Sequence, residues 1–169
     1  HGLIAARDLF SIPIIGLGEA AMLSACLFGK KFSIISFTNA MSAWYEESVE
    51  LLGLQSRYAG FRAINGVVLS IDQIQSLQKD ALVDSAKKAI NIDGGDVIIF
   101  AGAPLSGFKK IVQKEINAPI IDCAEAALKQ AELAVVMNKG TSIKKKLPPK
   151  ISVGLDNNLA NYITHKPYE

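Results

Sequence analysis

The sequence predicts an α/β fold in which an open, mainly parallel sheet carries helices on both faces. Short runs rich in β-branched and aromatic residues alternate with segments of helical periodicity, which is the order of elements in parallel sheets. The run DVIIF at 96–100 is almost entirely apolar, so it suits a central strand that is buried on both faces. The length of 169 residues suits one domain of ordinary size.

We predict five strands joined by helices that pack on the sheet, with right-handed crossovers between parallel strands. The strands are predicted at residues 12–15, 31–36, 59–64, 96–100 and 119–121. Helices are predicted at residues 2–9, 19–28, from Thr38 or Asn39 to Leu52, 72–92, 105–116, 123–137 and 156–164.

Local signals define the ends of these helices. Gly29 and Gly53 favour C-terminal ends, Ser70 to Gln73 fits a capping box, and Pro104 suits a first helical turn. Periodicity then predicts the buried faces of two helices. One face consists of Met41, Trp44, Tyr45, Val49 and Leu52, and the other of Ile74, Leu77, Ala81, Ser85 and Ala89.

Composition and charge argue against several functional classes. The formal net charge of +2 is too small to indicate a nucleic-acid partner. No apolar run approaches the ~18 residues that cross a bilayer. The two cysteines, Cys26 and Cys123, form neither a disulfide framework nor a zinc pattern. We therefore expect a cytoplasmic protein without a metal site.

Three corners of the predicted fold follow the carboxyl ends of strands, where parallel sheets bind ligands and helix N-termini present free N–H groups. We predict that they meet at one end of the sheet and form a small-anion-binding site. The predicted binding residues are Ser36, Phe37, Thr38, Gly102, Ala103 and Asp122.

Each of these residues also has a purely structural interpretation. Ser36, Thr38 and Asp122 are residue types that cap helices, and a glycine such as Gly102 permits a tight turn. Cys26 lies among apolar residues and is predicted to be core. Cys123 begins a helix, a position that lowers a thiol pKa and favours a reactive thiolate, although a small buried residue is the commoner explanation.

Several segments resemble the aspartate/glutamate/hydantoin racemase family, and hydantoin and allantoin racemases in particular. Residues 2–38 resemble the segment that follows the first cysteine of those enzymes, with PIIGLGEAAM from Pro13 to Met22 as its most specific part. VIIFAGAPLSG from Val97 to Gly107 resembles the strand and loop that carry the second cysteine. PIIDCAEAA from Pro119 to Ala127 resembles the following strand and helix, and Gly140 to Ser142 with Pro148-Pro149 match the tail.

The resemblance implies a reaction without a cofactor on a small carboxylate or hydantoin-like molecule. One cysteine thiolate removes the proton at the α-carbon while a second thiol protonates the opposite face. It also implies a homo-oligomer and a two-lobed chain. Residues 1–16 would be a remnant of the N-terminal lobe, 17–122 the main α/β lobe, and 123–169 a helix and tail that return towards the first lobe.

This chain departs from the family pattern at the catalytic positions. Gly102 occupies the place of the second cysteine, and the first cysteine would precede His1. Cys123 is a weak substitute because it follows a different strand. Three interpretations remain open: an impaired racemase homologue, a one-thiol relative of the decarboxylase type, and a non-catalytic protein that binds a small anion or another partner.

Overall fold

The computed structural model describes residues 2–64, 73–139 and 156–159. The chain forms two compact units. The larger unit comprises residues 15–133 and contains the sheet. The other comprises residues 1–14 and 134–169, and its described part includes the helix Leu3–Leu9.

Four strands form one sheet in which every neighbouring pair is parallel, in the order β2-β1-β3-β4. The strands are β1 Phe32–Ser36, β2 Tyr58–Ala63, β3 Val97–Phe100 and β4 Ile120–Asp122. The helices are α1 Leu3–Leu9, α2 Leu17–Ala25, α3 Ser42–Leu51, α4 Ile74–Leu77, α5 Lys79–Asn91, α6 Phe108–Val112 and α7 Cys123–Met137. The predicted α/β class, parallel sheet and interior position of the DVIIF strand are confirmed.

Alternation along the strands divides the core between the two faces of the sheet, because successive side chains of a strand point to opposite sides. On one face, Ile35, Ile98 and Phe100 pack with residues of α5 and α6. On the other face, Ile34 and Ile99 pack with residues of α2, α3 and α7. Helices therefore cover both faces, as the apolar interior strands require.

The strand predicted at residues 12–15 is absent, which corrects that prediction. Pro13 has no N–H to donate to a ladder. The carbonyl of Ile14 accepts two hydrogen bonds from the Arg7 guanidinium, at 3.0 and 2.9 Å. The apolar run is thus a connection outside the sheet, and its Ile14 carbonyl bonds to a side chain.

Three predicted helices have different bounds in the structure. The helix predicted at 19–28 ends at Ala25. The helix predicted at 72–92 breaks at Gln78, and this changes its phase, so that Leu77 and Ala81 are exposed while Leu82, Val83, Ala86 and Ala89 are buried. The helix predicted at 105–116 is reduced to Phe108–Val112.

The prediction that Trp44 belongs to a buried face is also wrong, since its side chain is half exposed whereas Val49 is buried. The capping box at 70–73 and the tail motifs at 140–142 and 148–149 fall wholly or partly outside the described residues. Of the helix predicted at 156–164, the described part is helical at 157–159. Among the described residues, no helix is both long and apolar enough to span a bilayer.

Arg57 fastens the end of α2 to the start of β2. Its guanidinium donates to the carbonyls of Lys30 and Gly29 at 2.6 Å and of Cys26 at 3.0 Å. Carbonyls at the end of a helix lack partners within that helix. The Arg57 side chain supplies donors to the carbonyl at the end of α2 and to two carbonyls that follow it, a role that the periodicity of the sequence does not reveal.

We expect Arg57→Met to lower the free energy of unfolding by about 1–3 kcal/mol, because three carbonyls, two of them part-buried, lose their hydrogen-bond donor. Urea unfolding measures this loss. Lys88→Met is the control, since it removes the same charge from an exposed i,i+4 pair with Asp84 and should cost below about 0.5 kcal/mol. Equal losses in both variants would contradict the structural role of Arg57.

Candidate functional site

The register of the sheet brings the ends of the three strands that precede the predicted corners to the same level. Ile35 pairs with Phe100 and Phe100 with Asp122, so the carboxyl ends of β1, β3 and β4 lie at one level. Just beyond this level the Ser36 hydroxyl donates to the carbonyl of Ala101 over 3.4 Å, a long bond for a hydroxyl donor. Ser36 itself is fully buried.

The thiol of Cys123 meets the end of β3 from the side of β4. Its Sγ donates to the carbonyl of Phe100 at 3.3 Å, and the backbone N–H of Gly102 lies close enough to lower the pKa of this thiol. Cys123 is 5% exposed. The thiol therefore lies between an acceptor and a donor of one strand end, although it belongs to a different strand–helix connection.

Burial, and after it the neighbouring Asp122 carboxylate, together raise the pKa of the Cys123 thiol from 9.0 to about 12. The N–H groups of Gly102 and of Cys123 itself lower that pKa without reversing the shift. The expectation that a helix N-terminus would depress the thiol pKa is therefore wrong, because desolvation outweighs the local N–H groups. At neutral pH the group is a thiol.

Asp122 is fully engaged with backbone donors. One carboxylate oxygen accepts from the N–H groups of Ala124 and Glu125 at 2.9 and 3.0 Å, which caps α7. The other accepts from the N–H of Gly107 at 2.5 Å. The cap prediction is confirmed, and the same residue joins the loop after β3 to the start of α7.

Gly102 is confined by its backbone and by Phe37. Its φ of +112° lies in a region that other residues rarely adopt. A Cβ added at this position would lie 2.9 Å from Cε1 of Phe37, closer than normal contact. The loop is also fixed from the side of α4, because the Gln75 amide donates to the carbonyls of Pro104 and Ser106, each at 2.8 Å.

Within the described part of the chain, the two remaining predicted residues, Thr38 and Ala103, have no hydrogen bond to Cys123 or to the other predicted residues. The Thr38 side chain accepts from the N–H of Ala40 at 3.2 Å and caps a short 3-10 turn, which confirms its capping prediction. Ala103 is exposed at the start of the 3-10 turn Ala103–Leu105. We call the group formed by Ser36, Phe37, Gly102, Asp122 and Cys123 the strand-end site.

Sequence reasoning missed Tyr45, which was assigned only to an apolar helix face. Its ring stacks on Phe61 with 5.7 Å between ring centres, and its hydroxyl lies near the side chain of Ser36. Burial, and after it the Cys123 thiol, raise the pKa of Tyr45 to about 12, and the Ser36 side chain opposes this rise. A useful signal was available, because a tyrosine within an apolar face needs a partner for its hydroxyl.

Other candidate features lie away from the strand-end site. The carbonyl of Cys26, a half-buried residue, accepts from Arg57 ahead of β1, so this cysteine belongs to the opposite end of the sheet. A cavity of about 500 Å³ lined by residues 113–119 precedes β4 and is likewise at that end. The described residues contain no group of three or more His, Cys, Asp or Glu side chains that could hold a metal ion.

A family model described as Asp/Glu/Hydantoin racemase matches residues 1–131. The chain belongs to this racemase family. A hydantoin racemase from Paenarthrobacter aurescens is 30% identical over 141 residues, which cover 83% of the chain and 60% of that protein. A hydantoin racemase from a Pseudomonas species is 28% identical over 151 residues, covering 88% of the chain and 61% of the relative.

The fold agrees with the same family. The crystal structure of an allantoin racemase from Pseudomonas fluorescens superposes with a TM-score of 0.81 at 26% identity, over 91% of this chain and 67% of the other. The chain spans about three fifths of the length of the hydantoin racemases that it matches. The family and fold inferred from the sequence are therefore confirmed.

We expect Gly102→Ala to lower the free energy of unfolding by about 2–4 kcal/mol, because it combines an unfavourable φ with a contact on Phe37. Gly107→Ala is the matched control. Gly107 also has a positive φ, +82°, but open space where the Cβ would lie, so its cost should be about 1–2 kcal/mol. Chemical unfolding measures the free energy of unfolding of both variants. In the Gly102→Ala background, a second substitution, Phe37→Ala, should cost less than it does in the native protein, because it removes the ring that the new Cβ contacts. Equal costs at the two glycines would contradict the proposed contact.

The raised thiol pKa also predicts a stability change at alkaline pH. The folded state keeps the Cys123 proton that the unfolded state releases above about pH 9, so stability falls as pH rises from about 9 to 12. One such proton changes the free energy of unfolding by about 1.4 kcal/mol per pH unit. Unfolding at pH 8, 9, 10 and 11 should therefore show a shallower decline for Cys123→Ser.

Cys26→Ser controls for the loss of a cysteine elsewhere in the chain. Burial of Tyr45 and Tyr58 raises their pKa values in the native protein and in both variants alike. Removal of the Cys123 thiol also lowers the pKa of Tyr45, which acts in the same direction as the loss of the thiol itself. An unchanged slope in Cys123→Ser would show that burial does not hold the thiol protonated.

Proposed function

We propose that the protein is a cofactor-independent proton-transfer enzyme of the racemase type, and that its substrate is a small carboxylate or hydantoin-like molecule bound at the strand-end site. Cys123 is the thiol that exchanges a proton with the substrate carbon. The observation that carries the proposal is the position of this thiol beside the Gly102 N–H, at the end of the sheet where the resemblance places the second family cysteine.

Several predicted residues are proposed to contact the substrate. Thr38 supplies a hydroxyl, the Gly102–Ala103 backbone supplies amide dipoles, and the Phe37 ring offers an apolar surface. These groups suit a flat molecule that develops negative charge beside a carbonyl or carboxylate. Asp122 acts through the backbone, since its carboxylate bonds to the N–H groups of Gly107, Ala124 and Glu125.

Racemisation by this chain is proposed to be impaired. Inversion requires a base on one face of the α-carbon and an acid on the other, and Gly102 offers neither. Cys123 alone is a poor base, because a pKa of about 12 leaves about one molecule in 10⁵ as thiolate at pH 7. Cys26 lies at the opposite end of the sheet. Cytoplasmic location and a homo-oligomeric state are also part of the proposal.

The protonated state of Cys123 favours a second candidate function, decarboxylation with one thiol. The bond between the α-carbon and a carboxylate breaks, carbon dioxide leaves, and the electron pair stays on the α-carbon. The S–H proton then moves to that carbon, and the resulting thiolate takes a proton from water. A thiol that is protonated at neutral pH and hydrogen-bonded at its site suits this single donation.

The test follows the α-carbon in deuterium oxide. Hydantoins, aspartate, glutamate and substituted malonates are incubated with the native protein, Cys123→Ser and Cys26→Ser, and NMR with chiral separation measures exchange, inversion and release of carbon dioxide. We expect slow or absent racemisation, and proton delivery at least about 10²-fold slower in Cys123→Ser. Cys26→Ser should retain the native rate.

Each other outcome has a defined meaning. Rapid racemisation that Cys123→Ser abolishes would overturn the claim of impairment and make the thiol a base. Turnover that is insensitive to Cys123→Ser would overturn the assignment of the thiol. Saturable binding of the same compounds without any turnover would support the non-catalytic anion-binding alternative, and absence of binding and turnover would overturn the proposed function.

A further inference from the structure

We propose that Gln75 and Asp122 are positioning residues of the strand-end site: together they hold the peptide group between Ser106 and Gly107 in one orientation. This inference rests on the proposed function in one respect, namely that the Gly102–Ala103 backbone contacts the substrate. It adds Gln75, which lies on α4 outside the predicted corners.

One peptide unit of the loop after β3 is bonded at both of its polar groups to different elements. The carbonyl of Ser106 accepts from the Gln75 amide at 2.8 Å, and the N–H of Gly107 donates to the Asp122 carboxylate at 2.5 Å. In a planar trans peptide the carbonyl and the N–H point in opposite directions. The peptide is therefore held from the side of α4 and from the side of β4 at once.

This peptide is the centre of a type II turn over residues 105–108. Ser106 has φ −60° and ψ 132°, and Gly107 has φ 82° and ψ −12°, which are close to the type II values. Type I and type II turns differ mainly in the orientation of their central peptide. The first and last residues of the turn are buried in one core cluster, which fixes the ends of the turn but not its centre. The two polar partners therefore select the orientation.

Gln75 also bonds the loop at a second point. Its Nε2 donates to the carbonyl of Pro104 at 2.8 Å as well as to that of Ser106. Because both partners are carbonyl acceptors, only the NH₂ group of the amide can face them. One half-buried side chain thus connects two turns of the loop.

Backbone bonds extend this connection to the residues proposed to contact the substrate. The N–H of Leu105 donates to the carbonyl of Gly102 at 2.9 Å, and the N–H of Ser106 donates to the carbonyl of Ala103 at 3.1 Å. An altered orientation at Ser106 is therefore transmitted to Gly102 and Ala103.

Amide hydrogen exchange, followed by NMR on the full chain, tests the loop without a ligand. Gln75→Leu removes both donor bonds at similar side-chain size. We expect exchange to speed up by about five- to tenfold at Gly107, and by about three- to tenfold at Leu105 and Ser106, because their bonds open more often.

Two controls separate this loop from the rest of the protein. Gln113→Leu is the matched variant, because the Gln113 amide also donates to a backbone carbonyl, that of Ala118 at 3.2 Å ahead of β4. It should leave the loop amides within about twofold of their native rates. The amide of Ile98, which donates to the carbonyl of Pro119 at 2.9 Å, reports global opening and should be unaffected by Gln75→Leu.

An exchange of donor and acceptor between the two positions tests the orientation itself. Asp122→Asn replaces one acceptor oxygen by a donor, and Gln75→Glu replaces the donor by an acceptor, so each alone opposes the native peptide. Together they suit a peptide turned by half a rotation. We expect the unfolding equilibrium constant of the double variant to be at least about fivefold below the value that the two single effects multiply to.

The nuclear Overhauser effect between the Ser106 Hα and the Gly107 N–H identifies the turn. It is strong when ψ of Ser106 is near its native 132° and should weaken in the double variant. A role in packing alone predicts neither this change nor the recovery of stability. Titration with hydantoin adds a functional measurement: Gln75→Leu should raise its dissociation constant by about three- to tenfold, and Gln113→Leu by less than about twofold.

Unchanged exchange at the loop amides in Gln75→Leu would overturn the inference, as would single effects that simply multiply in the double variant. Faster exchange with native hydantoin affinity would overturn the positioning role. Absence of hydantoin binding by the native protein would instead count against the proposed function, and amide exchange alone would then decide whether Gln75 and Asp122 hold the loop.

Discussion

The chemistry of the strand-end site depends on how β3 ends beside β4. In a parallel strand, the carbonyl of one residue and the N–H of the residue two positions later point to the same neighbour. At the end of β3 these groups are the Phe100 carbonyl and the Gly102 N–H. β4 ends at Asp122 and α7 begins at the next residue. The side chain of Cys123 therefore lies beside these two groups, where the backbone of a longer β4 would otherwise bond to them.

This arrangement has opposing effects on the thiol. Insertion into the ladder buries the sulfur and places it beside Asp122, and both effects raise its pKa. The Gly102 N–H lowers the pKa but is one weak donor against desolvation. Asp122 caps α7 and bonds to the N–H of Gly107, and its charge opposes ionisation of the neighbouring thiol. The result is a thiol that stays protonated at neutral pH, because its thiolate form is unfavourable in this environment.

Much of the fold could be predicted from the sequence, because binary patterns report burial directly. The fully buried run at 97–100 and the cap at Asp122 each reflect a local physical requirement, and both are confirmed. The segment predicted as a strand at residues 12–15 instead bonds to Arg7 through the Ile14 carbonyl. The phase of α5 follows a break at Gln78, where neither glycine nor proline occurs. Such features arise from contacts between separate parts of the chain.

The candidate site was predictable in location but not in detail. Strand ends and helix starts indicated Ser36, Gly102 and Asp122, since parallel sheets share one carboxyl edge. The relation of Cys123 to Gly102 could not be predicted, because it depends on the register between β3 and β4. Tyr45 was hidden for a similar reason: an aromatic residue on a helix face is assigned to packing until the partner of its hydroxyl is known.

The contact between Phe37 and Gly102 makes these two positions a single unit for protein engineering. A library that varies residue 102 alone will mostly return glycine, because a larger residue meets both the unfavourable φ and the Phe37 ring. Installing a second thiol on this loop therefore requires simultaneous variation at residue 37 and a shift of the 102 backbone.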